Sequence, residues 1–311
     1  MTIDDKITMV HGDGNIFIYY GMAGHIPANA QLCIPDLTLN DAGDGVGDGQ
    51  LNTTAFPAAI DQAATWDPAL QRRFGAALGW EAWHKGIDIM LAPDLNLARI
   101  PMNGRNFEAF GEDPILSGTT AAAEIQGVQQ NNVIATAKHY AENSQETNRN
   151  AVSEDVDPRT LHELEGQAFE LALKQGRPGA VMCSYNEVNS VYACENPTLL
   201  TTVLKNQFGF DGFVMSDWGA THSTAPAANA GLDMEMWDGT YFGDPLKQAV
   251  ESGQVPMSRL DDMVLRILRS MFRVGVFDNP PASEPDAYHA DVATPDDALV
   301  AGRSPSRARC C

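Results

Sequence analysis

The run Gly209-Phe210-Asp211-Gly212-Phe213-Val214-Met215-Ser216-Asp217-Trp218 is an apolar segment of strand length that ends abruptly in polar and aromatic residues. The same grammar recurs upstream. Leu37–Leu39 is followed after one residue by Asp41, Ile87–Leu91 by Ala92-Pro93 and then Asp94, Val133–Ala137 by Lys138-His139, and Ala180–Cys183 by Ser184-Tyr185. A sixth candidate strand is Leu232–Met236. Longer amphipathic segments separate these short apolar ones, which is the pattern of βα units and a parallel sheet.

The helical segments carry their own start signals. Asp67-Pro68 and Asp157-Pro158 each place an N-cap before a proline at the first helical position. Gly176 is the expected stop of the helix that opens at Asp157. A weaker start at Ser258 with Asp261 opens a helix whose apolar face is Leu260, Met263, Val264, Ile267, Leu268 and Met271. After Phe277 the chain turns rich in Pro, Asp, Ala and Ser without sustained periodicity, so 278–311 reads as a disordered linker or tail. Asp41–Gly49 is rich in Gly and Asp but lacks the Gly-Lys-Ser/Thr ending of a phosphate loop, and reads as a turn.

The 311 residues are 44% hydrophobic and 20% charged, within the range of globular domains and long enough for one α/β barrel. The net charge of −21 repels phosphate backbones and anionic headgroups, so nucleic acid and membrane surfaces are not expected partners. No apolar run reaches the roughly 18 residues of a membrane span. Met1–Lys6 shows no signal-peptide pattern, and the expected location is cytoplasmic. The five cysteines form neither a disulfide framework nor a zinc pattern. Cys183 and Cys194 are close enough in sequence to bridge a loop, but free thiols are the expected state in a reducing compartment. No cofactor or metal is implied.

In a parallel barrel the residues after each strand gather on one face, where barrel enzymes keep their chemistry. A single polar residue there is most simply a loop or cap residue. Five successive strands that deliver acids, a Lys-His pair, a Tyr and a Trp to one mouth argue for more. Charged groups bind hydroxyls by charge-assisted hydrogen bonds, and aromatic rings offer a flat surface to the C–H face of a sugar.

Five motifs make that reading specific: Gly104-Arg105-Asn106-Phe107-Glu108 with Gly111-Glu112-Asp113-Pro114; Lys138-His139-Tyr140 with Gln145-Glu146-Thr147-Asn148-Arg149; Val181-Met182-Cys183-Ser184-Tyr185-Asn186; the run Gly209–Trp218; and Asn229–Met236. In this order they resemble glycoside hydrolase family 3, over about Thr2 to Phe277. The resemblance implies an α/β fold, a (β/α)8-type (TIM-like) barrel over 1–277 that leaves room for an irregular first βα unit. It implies hydrolysis of terminal non-reducing β-D-glucosyl residues by a retaining double displacement. Asp217 matches the nucleophile. Asp41, Arg105, Lys138, His139 and Arg149 match residues that hold the glycone hydroxyls, Tyr185 the tyrosine beside the nucleophile, and Trp218 a wall of the subsite. Met182 matches a further pocket contact, with a core role equally open. Asp94 matches none and is left as a cap or loop residue.

The branch that cleaves N-acetylglucosaminides carries a second His shortly after its Lys-His. Tyr140-Ala141-Glu142-Asn143-Ser144-Gln145 contains none, which favours the β-glucosidase-like branch, with β-xylosides as the alternative substrate. In that branch the acid/base Glu comes from a second domain, so the acid is expected to be missing from this chain. Glu142, Glu146 and Glu187 are expected to be solvated or ion-paired loop residues. A codon string compatible with Pro305–Cys311, read in the neighbouring frame, gives Ala-Glu-Gln-Gly-Ala-Val-Leu, similar to the start of that second domain. The expectation is a frameshift that truncated a longer enzyme, and resequencing the gene checks it. A non-catalytic sugar-binding remnant, or an inactive fragment that self-associates through its uncovered barrel face, is the rival reading.

Overall fold

The computed structural model describes residues 1–14, 21–281 and 286–308, with only the backbone course for 304–308. Six strands form its main sheet: β1 (Gly24–Ile26), β2 (Leu37–Asp41), β3 (Ile89–Leu91), β4 (Ile134–Tyr140), β5 (Ala180–Cys183) and β6 (Phe213–Ser216). They lie side by side in chain order. Every neighbouring pair from β2 to β6 is parallel, in registers such as Leu39 with Ile89 and Val181 with Val214. Both faces of the sheet are covered, so β4 and β5 are buried at every residue.

Two further staves close the ring. Residues 232–236 run parallel to β6, with Met234 N donating to Val214 O at 3.0 Å and Ser216 N to Met234 O at 2.9 Å. Residues 10–12 run parallel to that segment, with Glu235 N donating to Val10 O at 2.9 Å and Gly12 N to Glu235 O at 3.0 Å. Asp13 N then donates to His25 O at 3.1 Å, which returns the ring to β1. The result is a TIM-like barrel with one reversed stave. β1 pairs antiparallel with β2, and a short 3-10 turn (Ala30–Leu32), not a packed helix, joins them. The first βα unit is therefore irregular. Its staves, His11-Gly12-Asp13 and Gly24-His25-Ile26, are too short and too polar to show a strand period.

The outer helices start where their caps stand. Asp67 accepts from Ala69 N and Leu70 N to open Pro68–His84, and Asp113 from Leu116 N to open Pro114–Gln129. These two helices touch backbone to backbone: a Cβ on Gly75 would lie 2.3 Å from Glu124 O, and one on Gly127 2.3 Å from Arg72 O. Helix Met257–Val274 begins at Pro256 with no side-chain cap, so Ser258 is inside the helix and does not start it. Its inner face is the expected one: Leu260, Met263, Val264, Ile267 and Met271 are buried, with Leu268 packed partly buried against the core. No described helix is long and apolar enough to cross a membrane.

Glu124 is sealed in the contact of the first two helices. Gln71 Nε2 donates to its Oε2 at 2.8 Å and to Gln62 Oε1 at 2.8 Å. Burial pushes the carboxyl up to about 8. The folded state thus keeps a proton that the unfolded chain releases from about pH 4.5 upward, so this group's contribution falls as pH rises toward 8. We expect Glu124→Gln to match the parent in Tm at pH 5 and to exceed it by several degrees at pH 8.5, measured by thermal denaturation. Equal Tm differences at both pH values would show that Glu124 is ionised in the fold.

Two expectations change. Residues 278–311 read as a disordered tail, whereas the structure places helices at Asp286–His289 and Pro295–Ala308. Lys85 Nζ donates to Tyr288 O at 3.0 Å and Ala290 O at 2.5 Å, and Ala287, Val292 and Val300 are buried. Those apolar contacts are spaced too widely to make a period. Thr294 and Asp297 do form a reciprocal cap, a start signal present in the sequence. Residues 309–311 and the side chains of 304–308, on which the frameshift reading rests, lie outside the described residues.

The second change is covalent. Cys183 and Cys194 form a disulfide, where free thiols were expected. The loop between them folds back so that their Cα atoms lie 5.2 Å apart. Cys33 is a free, exposed thiol, while Cys310 and Cys311 lie outside the described residues. Closing a loop of that size stabilises by about 3 kcal/mol. We expect Cys194→Ser to lower the unfolding free energy in urea by that order, and reduction of the parent protein to lower it equally. An unchanged midpoint in both would show that the bridge does not form.

Candidate active site

The strand ends meet at one mouth. Asp41 closes β2, Lys138 and His139 lie near the end of β4, Ser184-Tyr185 follow β5, and Asp217-Trp218 follow β6. A cavity of about 480 Å³ opens there. All nine residues singled out in the sequence line it: Asp41, Arg105, Lys138, His139, Arg149, Met182, Tyr185, Asp217 and Trp218. Met22, Ala23 and Asp48 complete the lining.

Arg105 sits at the crossing of the charges. Its Nη2 donates to Glu108 Oε2 at 2.7 Å, its Nε to Glu108 Oε1 at 3.3 Å, and its Nη1 to His139 Nε2 at 3.2 Å. Burial works against this guanidinium's charge, but Asp94, Glu108 and Glu146 outweigh it and hold its pKa above the ordinary value. Arg149 donates to Glu146 Oε2 at 2.7 Å and lies 4.3 Å over the Tyr185 ring. Lys138 Nζ is 3.4 Å from Asp41 Oδ1 and 3.9 Å from Glu108 Oε2, and its side chain is almost fully buried. All three cations are thus held by carboxylates and line the cavity.

His139 is held from behind. Its backbone N and its Nδ1 both lie 3.1 Å from Asn96 Oδ1, while Asn96 Nδ2 donates to His139 O at 2.9 Å. Glu165 fixes Asn96 in turn, accepting from its Nδ2 at 3.3 Å. This network assigns the ring proton to Nδ1 and leaves Nε2 to accept from Arg105. Asp94, read from sequence as a cap or loop residue, is both a cap and more. Its Oδ1 accepts from Asn96 N at 2.8 Å, and its Oδ2 lies 3.6 Å from His139 Nδ1. Burial pushes the Asp94 carboxyl up, yet His139 and Arg105 hold it below the carboxylate range. It is a buried counter-charge behind the cavity wall, and a residue type three positions past a strand does not reveal that.

Asp217 is 8% exposed. Its N donates to Cys183 O at 3.1 Å, its Oδ1 accepts from Trp218 N at 2.7 Å, and its Oδ2 lies 3.7 Å from His139 Nε2. Burial first, and Asp217 second, push the Tyr185 phenol above its ordinary value, so it stays a donor toward that carboxylate. Trp218 is locked as a wall by its Nε1, which donates to Ala23 O at 2.9 Å. Met182 is both things the sequence allowed, a buried strand residue and a cavity contact.

Glu108 is a support that the sequence reading did not single out, and Glu146, expected there as a solvated or ion-paired loop residue, is ion-paired to Arg149. Glu108 stands three residues after Arg105, and Glu146 three before Arg149, a spacing that could have flagged both pairs. Among the described residues neither Glu142, Glu146 nor Glu187 lines the cavity. Glu142 is buried 3.5 Å from Arg99, and burial with Glu165 pushes it up to about 8.

A sequence model described as "Glycosyl hydrolase family 3 N terminal domain" matches residues 22–270. A β-glucosidase of Rhizobium radiobacter is 45% identical over 259 residues, covering 81% of this chain and 31% of that protein. A probable β-glucosidase A of Emericella nidulans is 42% identical over 296 residues, covering 88% of this chain and 34% of that protein. The crystal structure of β-glucosidase D2-BGL from Chaetomella raphigera superposes with a TM-score of 0.89 at 40% identity, over 98% of this chain and 44% of that one. β-Glucosidase 3B from Thermotoga neapolitana, solved in complex with α-D-glucose, gives 0.89 at 33% identity over 99% and 46%. The chain spans about a third of the length of the curated relatives it matches. With five motifs in order, a barrel of the same shape and a family model over most of its length, this chain belongs to glycosyl hydrolase family 3 and carries its N-terminal domain.

Proposed function

We propose that this chain is the glycone-binding and nucleophile-bearing barrel of a retaining β-glucosidase that hydrolyses terminal non-reducing β-D-glucosyl residues. The observation that carries the reading is the position of Asp217: a carboxylate at the edge of a cavity whose other walls are paired cations, a histidine, a tyrosine and a tryptophan. An Asp217 oxygen attacks the anomeric carbon, forming a C–O bond as the bond to the leaving oxygen breaks. Water then cleaves the glycosyl-enzyme and restores the carboxylate. Arg105, Lys138 and Arg149 donate to the glycone hydroxyls, Asp41 accepts from them, His139 holds one hydroxyl beside the nucleophile, and Trp218 takes the C–H face. Protonation of the leaving oxygen needs a second carboxylic acid about 5–5.5 Å away. No cavity residue has that role in this reading, and the acid is supplied by the remainder of a longer protein or by a partner chain.

The second reading, a sugar-binding barrel without turnover, draws on the third of the relatives' length that this chain spans. β-Xylosides remain the alternative substrate. The Cys183–Cys194 bridge favours an oxidising compartment over the cytoplasm.

The test is intact-mass spectrometry after incubation with 2,4-dinitrophenyl 2-deoxy-2-fluoro-β-D-glucoside. Its leaving group needs no protonation, and its fluorine slows hydrolysis of the adduct. We expect a gain of one fluoroglucosyl unit on the parent chain and none on Asp217→Ala. A folded parent chain that gains no mass would put the sugar-binding reading first.

A further inference from the structure

A second cavity, of about 450 Å³, lies against the first, and Asp41, Arg105 and Lys138 line both. Its own walls are the loop of residues 41–47 with Thr53–Ala55, Phe107 and Glu108. This loop reads as a bare turn in the sequence. In the fold, Gly45 is required there: its φ is +133°, and a Cβ would lie 2.5 Å from Thr54 O. Gly43 meets no such crowding, since the nearest atom to a Cβ there is Glu108 Cγ at 3.6 Å. The loop is pinned at its edges and open toward the cavity.

The lining has a recognisable chemistry. Phe107 is an aromatic ring that is 52% exposed, in a hollow whose other walls mix small apolar residues such as Ala42, Val46 and Ala55 with the acids Asp41, Asp44 and Glu108. Asp44 Oδ1 is buried and has no hydrogen-bond partner among the described residues. Buried polar atoms are ordinarily satisfied, so this carboxylate, whose residue lines the hollow, is short of donors. Asp41, Asp44 and Glu108 outnumber Arg105 and Lys138, and both cations already lean on Glu108 and Asp41. An anion is therefore repelled. A neutral ligand with one apolar face and several hydroxyl donors fits: the face stacks on Phe107 and the hydroxyls donate to Asp44 and Glu108.

We propose that this second cavity binds a sugar unit, so that the barrel holds one sugar on each side of the wall formed by Asp41, Arg105 and Lys138. The inference rests on the proposed reading of the first cavity only through that shared wall. Its ligand class follows from its own residues.

Methyl NMR on the full 311-residue chain, labelled at Met, Ala and Thr methyls and titrated with glucose, separates the two sites. Met22 and Met182 line only the first cavity, and Thr54 and Ala55 only the second. We expect both sets to shift, with different midpoints. In Phe107→Ala the Thr54 and Ala55 midpoint should weaken at least about tenfold while that of Met182 holds, and Asp44→Asn should weaken the same set. Silent Thr54 and Ala55 methyls beside a responding Met182 would overturn the second site and leave the first reading intact. So would a Thr54 and Ala55 response untouched by either substitution. No shift at either set would overturn both.

Discussion

Asp217→Gly is expected to lower turnover of 2,4-dinitrophenyl β-D-glucoside by roughly 10⁴-fold or more, the scale on which enzymes lose rate with their nucleophile. The dinitrophenolate departs without a proton, so the loss isolates the attack step. Azide should then recover part of the rate. It fits the space vacated by the carboxylate, attacks the anomeric carbon from that face, and leaves as α-glucosyl azide, the inverted product. The same azide should give no new product with the parent chain's Asp217 in place at low concentration. A rate within about tenfold of the parent, or rescue that yields only the β-azide, would move the nucleophile elsewhere in the cavity. Among the cavity residues Asp217 alone joins a backbone lock, through Trp218 N, to an oxygen that faces His139, which is why the effect should be concentrated there.

The largest stability effect is expected far from the mouth. Asp233 is fully buried and accepts from Lys205 Nζ at 2.8 Å, Arg259 Nη2 at 2.6 Å and Val214 N at 2.8 Å. Burial pushes its carboxyl up, and Lys205 and Arg259 bring it below the ordinary value. The contribution is thus complete above about pH 3.8 and is lost only as pH falls through the lower, folded value. Asp233→Ala leaves Lys205 without its counter-charge and a strand N–H without its acceptor in the interior, while Arg259 keeps Asp262. Removing one partner of a buried pair costs about 3–5 kcal/mol, a large share of the roughly 5–15 kcal/mol that holds a domain together. Urea denaturation at pH 7 should register this loss, with a smaller one for Asp233→Asn, which keeps an acceptor. If Asp233→Ala costs under about 1 kcal/mol, the pair is hydrated in solution.

The parallel staves were legible because each is a short, largely apolar run, and the site because several of these runs end in charged or aromatic residues. Asp217, Lys138 and Tyr185 announce themselves at strand ends, and Arg105 and Arg149 inside motifs. What stayed hidden depends on distance through space. Asp94 looks like any loop acid until His139 and Arg105 are folded against it. Cys183 and Cys194 could have bridged or not, and only the return of their loop decides. The tail helices bury isolated residues such as Val292 and Val300, too few for a period. Phe107 was quoted within a motif, but its exposure into a second hollow is a property of the fold.

The reversed stave has a consequence for how this mouth tolerates change. Because β1 runs against its neighbours, the mouth receives the chain as it enters that strand, at Met22 and Ala23, where β2, β4, β5 and β6 contribute their exits. What Ala23 supplies is a backbone carbonyl that holds the Trp218 indole. A wall anchored through main chain is indifferent to side-chain identity at the anchoring position. Random replacement at residue 23 should therefore leave the tryptophan in place and vary only the rim, which makes that position an entry point for changing what the cavity admits without re-engineering what holds it.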